Sequence, residues 1–320
     1  MTKSEKKVFV IINSYLLGDM LLVNPLVQNI KRIYKNSKVI MLSSNNLSQV
    51  AKYQEGVDDV IIWDRKGKHK GFFGMLKFIK EFPYKNIFTV FPIYGTDRPI
   101  ILSTMLKPEY ILFRNKKNIL KHLFRSKYEI DHIETPDIPM QYWHINLLKG
   151  ISKEELIDCP MIYNIDKNTK NPIQEKDYIV LCPISSRRPK DMPFETAIEI
   201  IKSSNKKVVV LGNGEISRNL SQEFKKENLD NLIDMTDKTT LQEVAKIMKE
   251  SIGVISVDTG LMHMACAVDT PVVSVFYELK ESAFIPRENM YKSKLINENQ
   301  TTQRILKTFE ELTNKEITNG

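Results

Sequence analysis

Two doubly wound α/β domains are the fold this sequence predicts, and three observations predict it. Short β-branched or apolar runs alternate with helical patterns along the chain, as in a parallel sheet covered on both faces. The alternation is broken by a polar stretch at 166–176, which holds Asn168, Thr169, Lys170, Asn171 and Pro172 in a row. The 320 residues also exceed what one core usually spans, so about 150 fall to each domain. The expected division is 1–165, a linker at 166–176, and 177–320. Two such domains facing one another leave a cleft at the carboxyl ends of their sheets, where α/β proteins bind ligands.

The first half opens on the β-branched run 7–13, read as a buried strand, followed by a loop and an apolar helix over 19–34. Pro25 inside that helix predicts a kink or a late true start. Further strands are expected at 38–42, 57–63 and 86–91, with helices at 49–53, 72–82 and 140–149. The second half repeats the grammar with strands at 178–182, 207–211, 252–257 and 271–276. Its helices are expected at 193–203, 216–227, 240–249, 259–268 and 301–313.

Composition excludes several classes. At 42% hydrophobic and 27% charged the chain is neither collagenous nor disordered. Its apolar runs fall far short of the roughly 20 residues that a membrane span needs. The opening residues 1–7 are polar and lack a signal-peptide pattern. Cys159, Cys182 and Cys266 lie far apart without metal spacing, which fits a reduced, cytoplasmic compartment. The net charge of +8 is lopsided: residues 1–165 carry 25 Lys and Arg against 16 Asp and Glu, whereas 166–320 carry 22 against 23. The first half is therefore expected to meet something anionic. A lysine-rich composition inherited from the genome would read the same way.

Three segments carry candidate chemistry, each after a strand and before a helix. The first is Asp258-Thr259-Gly260-Leu261-Met262-His263-Met264-Ala265. A helix N-terminus offers unpaired amides and partial positive charge, which suits a diphosphate, and His263 falls one turn beyond Thr259 on the same face. Helix capping by Asp258 and Thr259, with His263 as a core histidine, would use the same residues. The second is Ser185-Ser186-Arg187-Arg188-Pro189-Lys190, two hydroxyls and three cations in six residues, fit for an anionic leaving group or for a solvated basic loop. In the third, Gly18 permits a tight turn and close ligand approach. Asp19 beside it is a carboxylate among apolar residues, usable as a general base if partial burial raises its pKa, or as a helix cap.

What is missing narrows the chemistry. There is no G-x-G-x-x-G, since Gly212-Asn213-Gly214 lacks the third glycine, and no phosphate-binding G-x-x-x-x-G-K-[ST]. No D-x-D and no His/Cys cluster with metal spacing occurs, so a reaction without metal or other cofactor is expected.

Together the three segments resemble glycosyltransferase family 9, the lipopolysaccharide heptosyltransferases, over nearly the whole chain. The matching pieces are Leu17-Gly18-Asp19 followed by Pro25, the serine-rich loop leading to Lys190-Asp191-Met192-Pro193, and the Asp258–Ala265 signature. The resemblance implies a GT-B fold, with the nucleotide sugar held mainly by the second domain and the C-terminal helix able to return onto the first. It implies an inverting transferase in which Asp19 deprotonates the acceptor hydroxyl and Lys190 neutralises the departing diphosphate. Gly18, Ser185, Ser186, Asp258, Thr259, Gly260 and His263 would then hold the donor, with Glu215 and Thr239 near its nucleoside. Met192 stands where the family commonly has tryptophan, and Arg188-Pro189 where it has a pair that is commonly acidic.

The implied function moves a sugar, with ADP-heptose the leading donor, onto a lipopolysaccharide or lipooligosaccharide core. Alternatives are another nucleotide sugar or a protein or polysaccharide acceptor, or a protein that binds a nucleotide sugar without turnover. The basic first half then fits an anionic glycolipid acceptor and the cytoplasmic membrane face, where the chain would sit peripherally. Lys116, Lys117, Lys121, Arg125 and Lys127 are one candidate contact, and the 66–73 segment is a second. A solvated helix face with its apolar residues turned inward is the competing reading. Nucleic acid is not expected, since no recognised binding motif accompanies the charge.

Overall fold

In a computed structural model the structure describes residues 6–13, 16–113, 140–185, 188–278 and 284–314. The chain divides into two units, Met1–Met161 and Ile162–Gly320. The first carries a parallel sheet built from β1 (Lys7–Ile12), β2 (Ser37–Ser43), β3 (Asp59–Ile62), β4 (Ile87–Pro92) and β5 (Tyr110–Ile111), in the order β3-β2-β1-β4-β5. The second carries β6 (Tyr178–Cys182), β7 (Lys207–Val210), β8 (Leu232–Asp234), β9 (Val254–Val257), β10 (Val272–Val275) and β11 (Ser293–Ile296), in the order β11-β10-β9-β6-β7-β8, all parallel. The central strands β4, β6, β9 and β10 are buried along their whole length. That is why they read as largely apolar runs without alternation, broken only by the buried hydroxyls of Thr89, Ser256 and Ser274.

Helices of the first unit are α1 (Leu17–Leu21), α2 (Asn24–Ile33), α3 (Ser48–Lys52), α4 (Gly71–Glu81), α5 (Asp97–Met105) and α6 (Met140–Asn146). The single helix expected over 19–34 is thus two. The break falls at Leu22–Val23, and Pro25 takes the second position of α2, where its missing N–H costs nothing. One apolar layer gathers Val10, Ile40, Val90, Trp63 and Phe78. On Phe9, the rings of Tyr34 and Phe88 close in at 5.0 and 5.4 Å between centroids.

The second unit holds α7 (Phe194–Ser203), α8 (Gly214–Lys226), α9 (Leu241–Glu250), α10 (Gly260–Ala267) and α11 (Thr302–Thr313). The expected linker is tied to it: the Asp166 amide donates to Gln242 Oε1 at 2.8 Å, and Asn171 Nδ2 donates to Tyr178 Oη and to Glu250 at 2.8 Å each. The apolar face of α11, Ile305, Leu306 and Phe309, packs in the second unit's own core beside Val273, Val275 and Ile296. Thr302 also donates to Glu199 of α7 at 2.5 Å. A Cβ on Gly253, just ahead of β9, would come within 2.9 Å of the Phe309 ring, so the closeness of that packing is written into a glycine.

Candidate active site

The strand order of each sheet reverses once, and the segments that hold Asp19, Lys190 and Asp258 follow the strands at those reversals. From β6 the second sheet runs outward through β7 and β8 on one side and through β9, β10 and β11 on the other. The switch point therefore lies between β6 and β9, where loops leave in opposite directions and open a crevice at the strand ends. Their register brings Cys182 level with Ser256, so the two loops emerge side by side.

The loop after β6 is closed on itself. The Met192 amide donates to the Pro183 carbonyl at 2.8 Å, and the Ser185 amide donates to Asp191 Oδ1 at 2.7 Å. Met192, at the position where the family usually has tryptophan, is buried in the hydrophobic core with Leu181 and Ile198. Ser185 is buried in this loop; Ser186 lies outside the described residues.

From this loop Lys190 reaches across the switch point and donates to Asp258 Oδ2. The side chains are 16% and 12% exposed, enough removed from water for the pairing to be strong and for a lost partner to be costly. Asp258 is thereby committed to the lysine and not to helix capping. Thr259 is the N-cap of α10 by backbone, with extended φ −143° and ψ 166°, and makes no side-chain cap bond. Gly260 opens the helix. His263 is 7% exposed, its ring tilted by 34° against that of Phe284 at 4.8 Å between centroids, and its Nδ1 meets no partner among the described residues. Burial pushes its pKa down to about 4, with Asp258 pulling it up and Lys190 pushing it down. His263 is neutral at pH 7, so it is neither a satisfied core histidine nor a cation.

The loops after β7 and β8 form the other flank. Gly214 takes φ +84°, a conformation that favours glycine, and its amide donates to Asp237 Oδ1 at 3.0 Å. Arg218 holds the second oxygen of Asp237 at 2.6 Å. The carboxylate therefore lies well below its ordinary pKa, first through the Gly214 amide and then through Arg218. Glu215 is exposed in the first turn of α8, and half-buried Thr239 lies one residue ahead of the α9 cap. That cap is a reciprocal box: the Thr240 amide donates to Glu243 Oε2 at 2.7 Å, and the Glu243 amide donates to Thr240 Oγ1 at 3.3 Å. Asp191, Asp237 and Arg218 were not expected from the sequence; an acid three residues before a capping threonine was the only sign of Asp237.

In the first unit the reversal lies between β1 and β4. Buried Asn13, just past β1, donates through Nδ2 to the Asp19 carbonyl at 2.8 Å and so ties α1 to the strand end. Asp19 sits half-buried in the first turn of α1. Gly18 is not the tight turn expected of it: it is buried within α1, and its carbonyl accepts from the Leu22 amide at 2.9 Å. His144 Nδ1 lies 3.2 Å from the Leu22 carbonyl, steadying the other end of α1. Lys116, Lys117, Lys121, Arg125 and Lys127 lie outside the described residues. Among the described residues no cluster of three His, Cys, Asp or Glu is placed to hold a metal ion. No helix among them is long and apolar enough to cross a membrane.

Comparison with known proteins gives the arrangement relatives. The family model described as glycosyltransferase family 9 (heptosyltransferase) matches residues 146–313, just over half of the chain. A family 9 glycosyl transferase from Veillonella parvula superimposes with a TM-score of 0.78 at 16% identity, covering 98% of each chain. The E. coli ADP-heptose LPS heptosyltransferase II gives 0.75 at 16% identity over 96% of this chain and 98% of its own. E. coli heptosyltransferase WaaC with ADP gives 0.74 at 18% identity over 95% and 99%. These likenesses show an α/β fold of the GT-B type. No curated protein sequence matches.

Proposed function

This chain belongs to glycosyltransferase family 9, and from that premise we propose that it is an inverting, metal-independent heptosyltransferase that takes its sugar from ADP-heptose. The observation that carries the reading is the Lys190–Asp258 pair at the second sheet's switch point, beside the opening turn of α10 and the unpartnered nitrogen of His263. A carboxylate repels a diphosphate, so Asp258 serves by holding Lys190, and the ammonium meets the phosphate oxygens. Amides at Thr259 and Gly260, Ser185 and Ser186, and the neutral imidazole of His263 supply hydrogen bonds without adding fixed charge. Glu215 and Thr239 border the nucleoside, and Gly18 lets the sugar come close to α1.

In the proposed reaction Asp19 takes the proton of the acceptor hydroxyl as its oxygen attacks the anomeric carbon. The bond from that carbon to the diphosphate oxygen breaks, its electron pair leaves with ADP, and the configuration inverts. Charge grows on the leaving oxygen, where a preorganised cation is worth about 2–4 kcal/mol of barrier. A neutral His263 suits this step, since an N–H donor need lose no proton at pH 7. The acceptor in this reading is a lipopolysaccharide or lipooligosaccharide core presented at the cytoplasmic membrane face, which supplies a purpose for the surplus charge of the first half.

The test is transfer from a panel of nucleotide sugars, ADP-heptose included, to a truncated core acceptor, with and without EDTA. Heptose transfer that survives chelation, inverts the anomeric centre and vanishes in Asp19→Ala while ADP binding persists is the expected result. Turnover unchanged in Asp19→Ala would sink the base assignment, and loss in EDTA restored by a metal would sink the metal-free one. Binding of every donor without turnover would leave a nucleotide-sugar-binding protein.

A further inference from the structure

Helix α4 spends only one side on the core. Met75 and Phe78 are buried, and Phe82 is buried just past its end. At 3.6 residues per turn, Phe72, Leu76, Lys80, Phe73 and Lys77 share the opposite side within an arc of about 140°. Phe72 is 60% exposed, Phe73 83% and Leu76 39%. The two rings meet edge to face at 5.9 Å between centroids and remain outside. Single exposed apolar residues are ordinary; two phenylalanines and a leucine side by side on one helix are an interaction surface.

The loop ahead of this helix is built to lie against it. The Asp64 carboxylate accepts from the Gly67 and Lys68 amides at 2.9 and 2.8 Å. A Cβ on Gly74 would fall 2.4 Å from the His69 carbonyl carbon, so a side chain at 74 would push the loop off. His69 turns inward, its ring 5.0 Å from that of Phe78. Lys68 pairs with Glu81 at 2.8 Å. The exposed Lys66, Lys70, Lys77 and Lys80 form no salt bridge among the described residues. The surface therefore offers an apolar patch with lysines on the same helix face and in the loop ahead of it.

We propose that α4 and its preceding loop are an interfacial anchor that docks the first unit on an anionic phospholipid bilayer. Phe72, Phe73 and Leu76 enter the boundary between headgroups and acyl chains, and the four lysines meet headgroup phosphates. The occupant follows from the order of the chemistry: a bilayer presents negative charge outside and hydrocarbon beneath, the complement of lysines beside aromatic tips. The anchor deepens the reading of a membrane-borne acceptor given above and rests on it for its purpose, but vesicle binding needs neither donor nor acceptor.

The full chain is sedimented with phosphatidylcholine vesicles that do or do not contain phosphatidylglycerol, and its transfer to a soluble truncated acceptor is measured in parallel. Binding is expected only with phosphatidylglycerol and is expected to weaken in high salt. Phe72→Ser with Phe73→Ser, and separately Lys77→Gln with Lys80→Gln, should each lower partitioning on the order of tenfold or more. Neither pair should alter soluble-acceptor turnover or Tm. Equal binding to neutral vesicles, no binding to anionic ones, or partitioning unchanged by both pairs overturns the anchor. So does self-association, seen by light scattering, that Phe72→Ser with Phe73→Ser abolishes while vesicle binding persists, because the patch then covers a second copy. Loss of soluble transfer with vesicle binding intact would count against the transferase reading and leave the anchor standing.

Discussion

The two switch points are built by opposite strategies. In the second unit, the candidate groups are joined by a long-range pair: Lys190 and Asp258 come from loops 68 residues apart, meet largely out of water and both act on the charge of buried His263. In the first unit, Asp19 rides on a five-residue helix tied at one end by Asn13 Nδ2, six residues away, and at the other by His144 against the Leu22 carbonyl. The second site's side chains are thus part of what holds its unit together, whereas these ties to α1 are made to its backbone carbonyls. Stability and function are coupled in one and separable in the other.

That difference can be broken experimentally, most severely at Asp19. Asp19→Ala should lower kcat by roughly 10²–10⁴, the range for losing a general base, with little change in Tm. A large fall in Tm would mean that the first site is structural too. Next comes the ion pair. Lys190→Ala should lower kcat by about 10²–10³ and also destabilise the second unit by about 3 kcal/mol, because Asp258 is left buried without its partner. Removing Asp258 as well should restore part of that stability but none of the activity. A denaturation double-mutant cycle with no coupling would show that the pair contributes nothing to the fold.

The third prediction sharpens the comparison by pH. The folded pKa of His263 is about 4, below an unfolded value near 6.5, so between these values the unfolded chain binds more protons. Stability should hold above about pH 6.5, fall by up to about 3 kcal/mol as pH drops toward 4, and level off below. His263→Phe should flatten that slope in chemical denaturation; an unchanged slope would assign it to other groups. The smallest effect belongs to the rim of the proposed donor site. Thr240→Ala removes the α9 cap and should cost about 1 kcal/mol without changing kcat. A changed KM for the donor would draw the neighbouring Thr239 into nucleoside binding.

Much of the fold was legible in residues 178–182, which read as a strand to the residue, and in 301–313, where helix α11 starts one position later than expected. The elements that escaped were short and at the margins. Strand β5 has two residues, β8 has three half-buried ones, and β11 lies at the sheet's edge. Such strands gain their pairing from neighbours and carry little apolar signal of their own. Helix α5 was hidden by Pro99, which is harmless in a first turn. At the site, Asp19, Lys190, Asp258 and His263 could be picked out because their segments each follow a strand and lead into a helix, and because those segments together resemble family 9. Their relations could not. That Asp258 spends its carboxylate on Lys190 and that Gly18 is helical both depend on chain brought close by folding.

By itself, then, the sequence determined two α/β halves, an asymmetric charge and three strand-to-helix junctions rich in polar residues. These follow from local periodicity and composition, which act over a few residues at a time. Tertiary structure decided what no window of sequence holds. It placed β6 beside β9, spent the apolar face of α11 on the second core, and left Phe72 and Phe73 outside while His69 turned in. The reason is physical: desolvation, ion pairing and exposure are properties of a residue's surroundings, and those exist only once distant segments have packed.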